Sequence, residues 1–204
     1  MSKGKFITFE GSEGSGKSTQ IALVYDYLKS MRKPVIVVRE PGGVKISENI
    51  RNILLHVENR EMTDEAETLL YLAARAQLVH EVIAPALKEG KIILGDRFMD
   101  STYAYQGYGN GVNLKFIKSV EKFVTEGIKP RLTFLFDIDT QKGLSRTNSQ
   151  KDRIELRSLE YHNRVRRGYL ALAKQEPKRI KVIKVDADKE IIFSRVKNFI
   201  DKLI

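Results

Sequence analysis

Short apolar runs alternate along this chain with longer stretches whose hydrophobic residues recur every three or four positions. Runs at 6–9, 35–38, 92–94, 132–136 and 180–185 are rich in β-branched and aromatic residues and predict strands. Between them, helical spacing predicts helices over 20–31, 47–56, 64–88, 114–125, 155–173 and 191–203. The first is closed by Lys33-Pro34, and the 64–88 stretch starts on Thr63-Asp64-Glu65-Ala66-Glu67, a capped helix start. Strands alternating with helices imply an α/β fold: a mainly parallel five-stranded sheet with helices on both faces, three layers in all.

A chain of 204 residues without a linker, repeat or low-complexity segment reads as one domain spanning 1–204. It has no cysteine and no apolar run of membrane-spanning length, and Lys3-Gly4-Lys5 leads straight into the first strand, so a soluble, cytoplasmic protein with no membrane partner is expected. The net charge of +10 changes the picture less, because nucleic acid, an anionic membrane or a site holding several phosphates would each account for it.

Chemistry enters at Gly11-Ser12-Glu13-Gly14-Ser15-Gly16-Lys17-Ser18, between the first strand and the first helix. Glycines let successive N–H groups converge, the helix start adds a positive dipole end, and Lys17 and Ser18 can reach a terminal phosphate and Mg²⁺. The competing reading is a glycine-rich turn capping an ordinary helix. In a parallel sheet ligands sit at the carboxyl ends of strands, which here carry Arg39-Glu40-Pro41-Gly42-Gly43, Asp96-Arg97 and Asp137 to Asp139. Arg97 offers a planar fork for phosphate and Asp96 a carboxylate for Mg²⁺ or for a neighbouring arginine, whereas Asp137 and Asp139 fit equally the capping of a following helix. Tyr71 and Arg75 share a helix face, pairing an aromatic platform with a hydrogen-bonding fork or simply joining core and solvent. The polar stretch 147–152, flanked by Arg146 and Arg153, reads as a short basic lid over about 146–154 that closes on a transferring phosphoryl group, or as a solvated loop.

Taken together, these segments resemble bacterial thymidylate kinases nearly from end to end. The resemblance rests on residues 6–18, Arg-Glu-Pro-Gly-Gly at 39–43, Ala-Ala-Arg at 73–75, Asp-Arg-Phe at 96–98, Asp-Ser-Thr-Tyr-Ala-Tyr-Gln-Gly at 100–107 and Asp-Arg-Ile-Glu at 152–155. It implies a P-loop NTPase fold and a homodimeric kinase that moves the γ-phosphoryl group of ATP to dTMP in line, with Mg²⁺. It further implies that Glu13 meets the sugar 3′-hydroxyl, that Arg97 and Arg51 hold the acceptor phosphate with Arg39 nearby, and that Tyr71 stacks on thymine where relatives more often have Phe. Arg75 would hydrogen-bond the base, with Pro41, Ser101, Thr102 and Gln106 around it, and Tyr105 would crowd the sugar 2′ position. With Gly14 at the fourth loop position, the resemblance puts the catalytic cations in the lid, so Lys17, Arg97, Arg146 and Arg153 are the expected catalytic residues. Two rivals stand beside it: a kinase for another nucleoside monophosphate, and an ATP-dependent nucleic-acid-binding protein using Arg164, Arg166, Arg167, Lys174, Lys178 and Lys181. The expectation is dTMP as substrate and no nucleic-acid partner.

Overall fold

The structure, a computed structural model, describes residues 4–146 and 151–204. Each apolar run forms a strand: β1 (Lys5–Glu10), β2 (Val35–Arg39), β3 (Ile92–Asp96), β4 (Leu132–Asp137) and β5 (Ile180–Lys184). All pair in parallel, in the order β2-β3-β1-β4-β5. Strand β1 is therefore central, and the order reverses on either side of it, which opens a crevice above its carboxyl end.

Because strand side chains alternate, the sheet feeds two cores. On one face Ile7, Phe9, Leu94, Phe134 and Phe136 pack against α1 (Lys17–Ser30) and α9 (Lys189–Asp201) through Ile21, Val24, Leu28, Val196 and Ile200. On the other, Phe6, Val38, Ile93 and Leu135 meet α3 (Asp64–Leu78), α4 (Ala84–Lys88) and α8 (Leu159–Gln175) through Leu78, Ala86, Val165 and Leu172. The remaining helices are α2 (Lys45–Leu55), α5 (Met99–Thr102), α6 (Leu114–Val124) and α7 (Thr140–Ser145).

Three elements depart from the periodicity. The 64–88 stretch is not one regular helix: Val79–Ile83 widens into a π-helical turn between α3 and α4, and the Ala84 N–H reaches back to Val79 O. Pro85 follows at once; it has no N–H to give and its ring crowds the carbonyl four residues back. The helix expected from 155 starts only at Leu159, because Asp152 Oδ1 accepts from the N–H groups of Ile154 and Glu155 (2.9 Å each), turning the chain, and Ser158 then caps α8 by accepting from Tyr161 N. The 103–109 segment, within a motif that showed no helical period, is a second π-helical turn (Tyr103–Gly109) continuing α5.

Beneath the crevice, Arg179 grips Asp100 with both arms (2.6 and 2.7 Å) and donates to Thr133, whose hydroxyl lies 2.8 Å from that of Thr8. Asp100 is fully buried, and Arg179 raises nothing to solvent but an edge. Removing one member of such a pair strands the other's charge. Arg179→Met is expected to cost about 3–5 kcal/mol in urea unfolding, since Asp100 would keep its burial and lose its counter-charge; a loss under about 1 kcal/mol would show that the pair contributes nothing.

Candidate functional site

The loop after β1 is shaped by glycine. Gly16 caps α1 with φ 83°, a left-handed turn in which side chains are strained, and Lys17 is the first helical residue. Its ammonium folds back to the carbonyls of Gly11 and Ser12 (3.0 Å each) and lies 3.4 Å from Ser15 Oγ. Burial, reinforced by Arg97, lowers Lys17 to about 8 despite Glu13 and Asp96. Gly14 faces α7 so closely that a Cβ there would lie 2.0 Å from Gly143 O, and a Cβ on Gly143 would lie 2.5 Å from Glu13 O. This close approach brings Arg146, just past α7, within 3.5 Å of Gly14 O.

At the end of β3, Arg97 sits in the left-handed region (φ 70°), uncommon for a side chain of its size. Its guanidinium is fixed by an ion pair with Glu13 and by the hydroxyls of Ser101 and Tyr169 (3.2 Å each), and it faces the Tyr105 ring. Those two hydroxyls also donate to Glu10 Oε2 (2.6 and 3.0 Å), so one buried carboxylate holds the acceptors that aim Arg97. Burial opposes ionisation of Glu13, but Arg97 and Lys17 outweigh it and keep its carboxyl below the usual range; Tyr105 donates to the same oxygen.

Two cavities meet here. One is lined by Glu13, Gly14, Ser15, Gly16, Lys17, Ser18 and Thr19 of the loop with Arg39, Asp96 and Arg146. The other is lined by Pro41, Leu55, Tyr71, Arg75, Ser101, Thr102, Tyr105, Gln106, Asp152 and Ile154. Glu13, Glu40, Arg51 and Arg97 line both. Arg75 is buried with Nε and Nη2 on Glu40 (2.8 and 2.6 Å) and Nη1 on Glu121 (2.6 Å) and Thr102 (2.9 Å), which leaves one of its five N–H groups for the cavity. Arg51 donates to Pro41 O (2.9 Å) across a cis Glu40-Pro41 bond. A further groove, lined by Gly16, Thr19, Arg146, Val185, Ala187 and Asp188, continues from the phosphate loop on the side away from Arg97.

Every residue expected at an acceptor nucleotide thus borders one of the joined cavities, Arg39 on the phosphate side. Ser18 Oγ lies 3.4 Å from Asp96 Oδ2, so the expected metal residues are adjacent. The structure does not bring Arg153 to the phosphates. It is buried, with Nε on Leu54 O (2.8 Å) and Nη2 on Glu67 (2.7 Å), because its carboxylate partner lies on α3 and lines neither cavity. Of the expected lid, Thr147, Asn148, Ser149 and Gln150 lie outside the described residues. Asp139 caps α7, accepting from Lys142 N, as the capping alternative has it, whereas Asp137 ends β4 and pairs with Arg166 of α8 instead. Of the basic patch, Arg164 on α8 is held by Gly109 O and Glu160, and Lys181 on β5 by Pro177 O. Sequence reasoning missed Glu10, Glu40 and Glu67. Glu10 was findable, as the charged residue ending β1; Glu67 gave no signal beyond an acid in a first helical turn, where the dipole alone would favour it.

The family described as Thymidylate kinase matches residues 9–196. The chain is 46% identical over 199 residues to a thymidylate kinase of Syntrophotalea carbinolica, covering 94% of this chain and 92% of the relative. It is 48% identical over 180 residues to one from Kosmotoga olearia, covering 87% and 86%. The crystal structure of thymidylate kinase from Ehrlichia chaffeensis superposes with a TM-score of 0.82 at 32% identity, covering 97% of this chain and 99% of that one.

The Glu10 arrangement carries a pH dependence. Burial, with Asp100 nearby, raises Glu10 to about 7 from 4.5, so its contribution to stability is present below 4.5 and is lost as pH rises through 7. The ionised form that prevails above 7 is the one that aims Arg97. The affinity of the wild type for a nucleoside monophosphate, divided by that of Glu10→Gln, should rise about tenfold between about pH 6 and about pH 8 by calorimetry. Taking the ratio removes the ligand's own titration, and a ratio flat with pH would refute the role of Glu10.

Proposed function

The chain belongs to the thymidylate kinase family, and on that premise we propose how its residues carry out the ATP-dependent phosphorylation of dTMP to dTDP. The observation that carries the reading is the shared wall of the two cavities, where Arg97 and Arg51 stand between the phosphate loop and the pocket of Tyr71 and Arg75. Two anionic nucleotides placed end to end would have their reacting phosphates at that wall. An acceptor phosphate oxygen is already anionic near neutral pH, so no strong general base is needed and offsetting charge repulsion is the main task.

In this reading the triphosphate of ATP lies on the loop from Gly11 to Ser18, its nucleoside in the groove beside Val185 and Ala187. Lys17 exchanges the carbonyls of Gly11 and Ser12 for phosphate oxygens, which restores the charge that burial disfavours. Arg146 stabilises charge developing on the migrating group. Ser18 and Asp96 fit Mg²⁺, a cation that keeps waters and phosphate oxygens around one or two protein ligands, and that would neutralise the donor phosphates when bound. Arg97, Arg51 and Arg39 take the dTMP phosphate, Glu13 the 3′-hydroxyl, and Tyr71 the face of the base. The remaining N–H of Arg75 meets a base carbonyl between Thr102 and Gln106, and Tyr105 leaves little room for a 2′-hydroxyl.

The reading extends to where and in what form the enzyme works. No helix among the described residues is long and apolar enough to cross a membrane, and free nucleotides are substrates of the cytoplasm, where we place it. We also place a homodimer interface on the neighbouring helices α2, α3 and α6, which expose Ile46 and Ile53, Leu69, and Phe116 and Phe123.

Coupled ADP release with a panel of monophosphates is expected to favour dTMP over UMP and CMP. Arg97→Ala should raise KM for dTMP and lower kcat while ATP binding is kept, whereas Arg146→Ala should lower kcat with little change in either KM. Preference for a ribonucleotide would overturn the base and sugar assignments; unchanged dTMP kinetics in Arg97→Ala would overturn its phosphate role. By sedimentation, the chain should run at twice its 23.3 kDa mass, and Phe123→Glu should return it to one chain. A monomeric wild type would remove the dimer.

A further inference from the structure

Glu67 lies in the first turns of α3 with no exposed surface. Its Oε1 accepts from Gln106 Nε2 and Asn110 Nδ2 (3.0 Å each), and its Oε2 from Nη2 of Arg153 (2.7 Å) and of Arg157 (2.8 Å). Two oxygens with about four acceptor sites are thus fully used. The donors come from separate segments: the π-helical turn and its C-cap, and the turns at 152–157 that precede α8. A third segment is tied in through Arg153, whose Nε and backbone N reach Leu54 O and Leu55 O at the end of α2. Arg157 closes the figure by donating to Asn110 Oδ1 (2.6 Å).

Each segment joined at Glu67 supplies a wall of the cavity assigned above to dTMP. Tyr71 stands one helical turn along α3 from Glu67, Gln106 touches it directly, Asp152 and Ile154 flank Arg153, and Leu55 ends α2. Glu67 itself does not line that cavity, and no segment it joins carries the phosphate loop. We propose that Glu67 is a positioning residue for the acceptor: by pairing at one point with the buried guanidinium of Arg153 and the part-exposed one of Arg157, it sets the distances between the walls that grip the base. Its loss should therefore act on the monophosphate and leave the ATP side alone. Glutamine in its place keeps the shape but removes the charge, and its amide presents N–H groups to donors that need an acceptor. This inference rests on reading the cavity as the dTMP site.

The test is steady-state kinetics of Glu67→Gln with dTMP and ATP varied in turn, on protein whose folded fraction is checked by circular dichroism. The expected result is a KM for dTMP raised about tenfold with a KM for ATP within about twofold of wild type. A role confined to stability would lower the active fraction, and so apparent kcat, without moving either KM. Arg157→Ala, at a partly exposed position, should give the same split at about threefold, and the double variant should be no worse than Glu67→Gln alone, since both remove one network. If Glu67→Gln does not fold, the split in Arg157→Ala decides. Unchanged KM values, equal shifts for both substrates, or additive effects would overturn the proposal. A wild type that turns over dTMP while the split is absent sinks this inference alone; a wild type with no dTMP turnover sinks the reading of the cavity.

Discussion

The site must hold many positive charges close together before any phosphate arrives to offset them, and the rest of its construction follows from how each cation is kept. One group is held by carboxylates: Arg97 by Glu13, Arg75 by Glu40 and Glu121, Arg153 and Arg157 by Glu67. Another contacts backbone carbonyls: Lys17 those of Gly11 and Ser12, Arg51 that of Pro41, Arg146 that of Gly14. The difference is energetic. A buried guanidinium leaves a carboxylate only at the cost of an uncompensated charge, while a cation on a neutral carbonyl gains by moving to a phosphate oxygen. The carboxylate-held cations therefore form the frame, and the carbonyl-held ones are available to move onto the phosphates.

Arg97 stands between these groups and shows why the frame needs a second layer. Its partner Glu13 is the residue expected to meet the sugar, so part of that carboxylate's capacity is called on when the acceptor binds. The hydroxyls of Ser101 and Tyr169, themselves committed to Glu10, keep the guanidinium aimed when Glu13 is shared. The net charge of +10 gains meaning here. Much of the internal cation content is already neutralised, so the excess is less a general attraction to polyanions than a set of unspent charges at the loop and on the surface.

The layout of strands and the phosphate loop was legible because their signals are local: apolar runs of strand length, and glycines at a spacing that allows N–H groups to converge. The residues that line the joined cavities were legible through resemblance, because their placement depends on facing one another across the crevice, which periodicity does not encode. Arg153 marks the limit. In the sequence it is a cation beside a polar lid stretch, and nothing near it reveals that Glu67, 86 positions earlier, claims its guanidinium. The π-helical turns were hidden for another reason. Widening by one residue shifts every following side chain round the axis, so Tyr103, Tyr105 and Gln106 can all be buried in a segment with no 3.6-residue stripe.

The glycine at the fourth loop position follows from the same geometry. With Gly14 and Gly143 facing each other, the loop and α7 approach to a distance at which any side chain on Gly14 would collide with the Gly143 carbonyl. An arginine at position 14 would have to displace α7 to reach the phosphates, and α7 is held by the Asp139 cap at one end and by Gly143 against the loop. The loop therefore has no room for its own side-chain cation at this position, and the role proposed above falls to Arg146, just past α7. A cation delivered this way depends on the position of α7, whereas one on the loop would be fixed from the start. Arg146 is exposed and, among the described residues, lies 3.5 Å from the Gly14 carbonyl, a weak hold that suits the role proposed for it above.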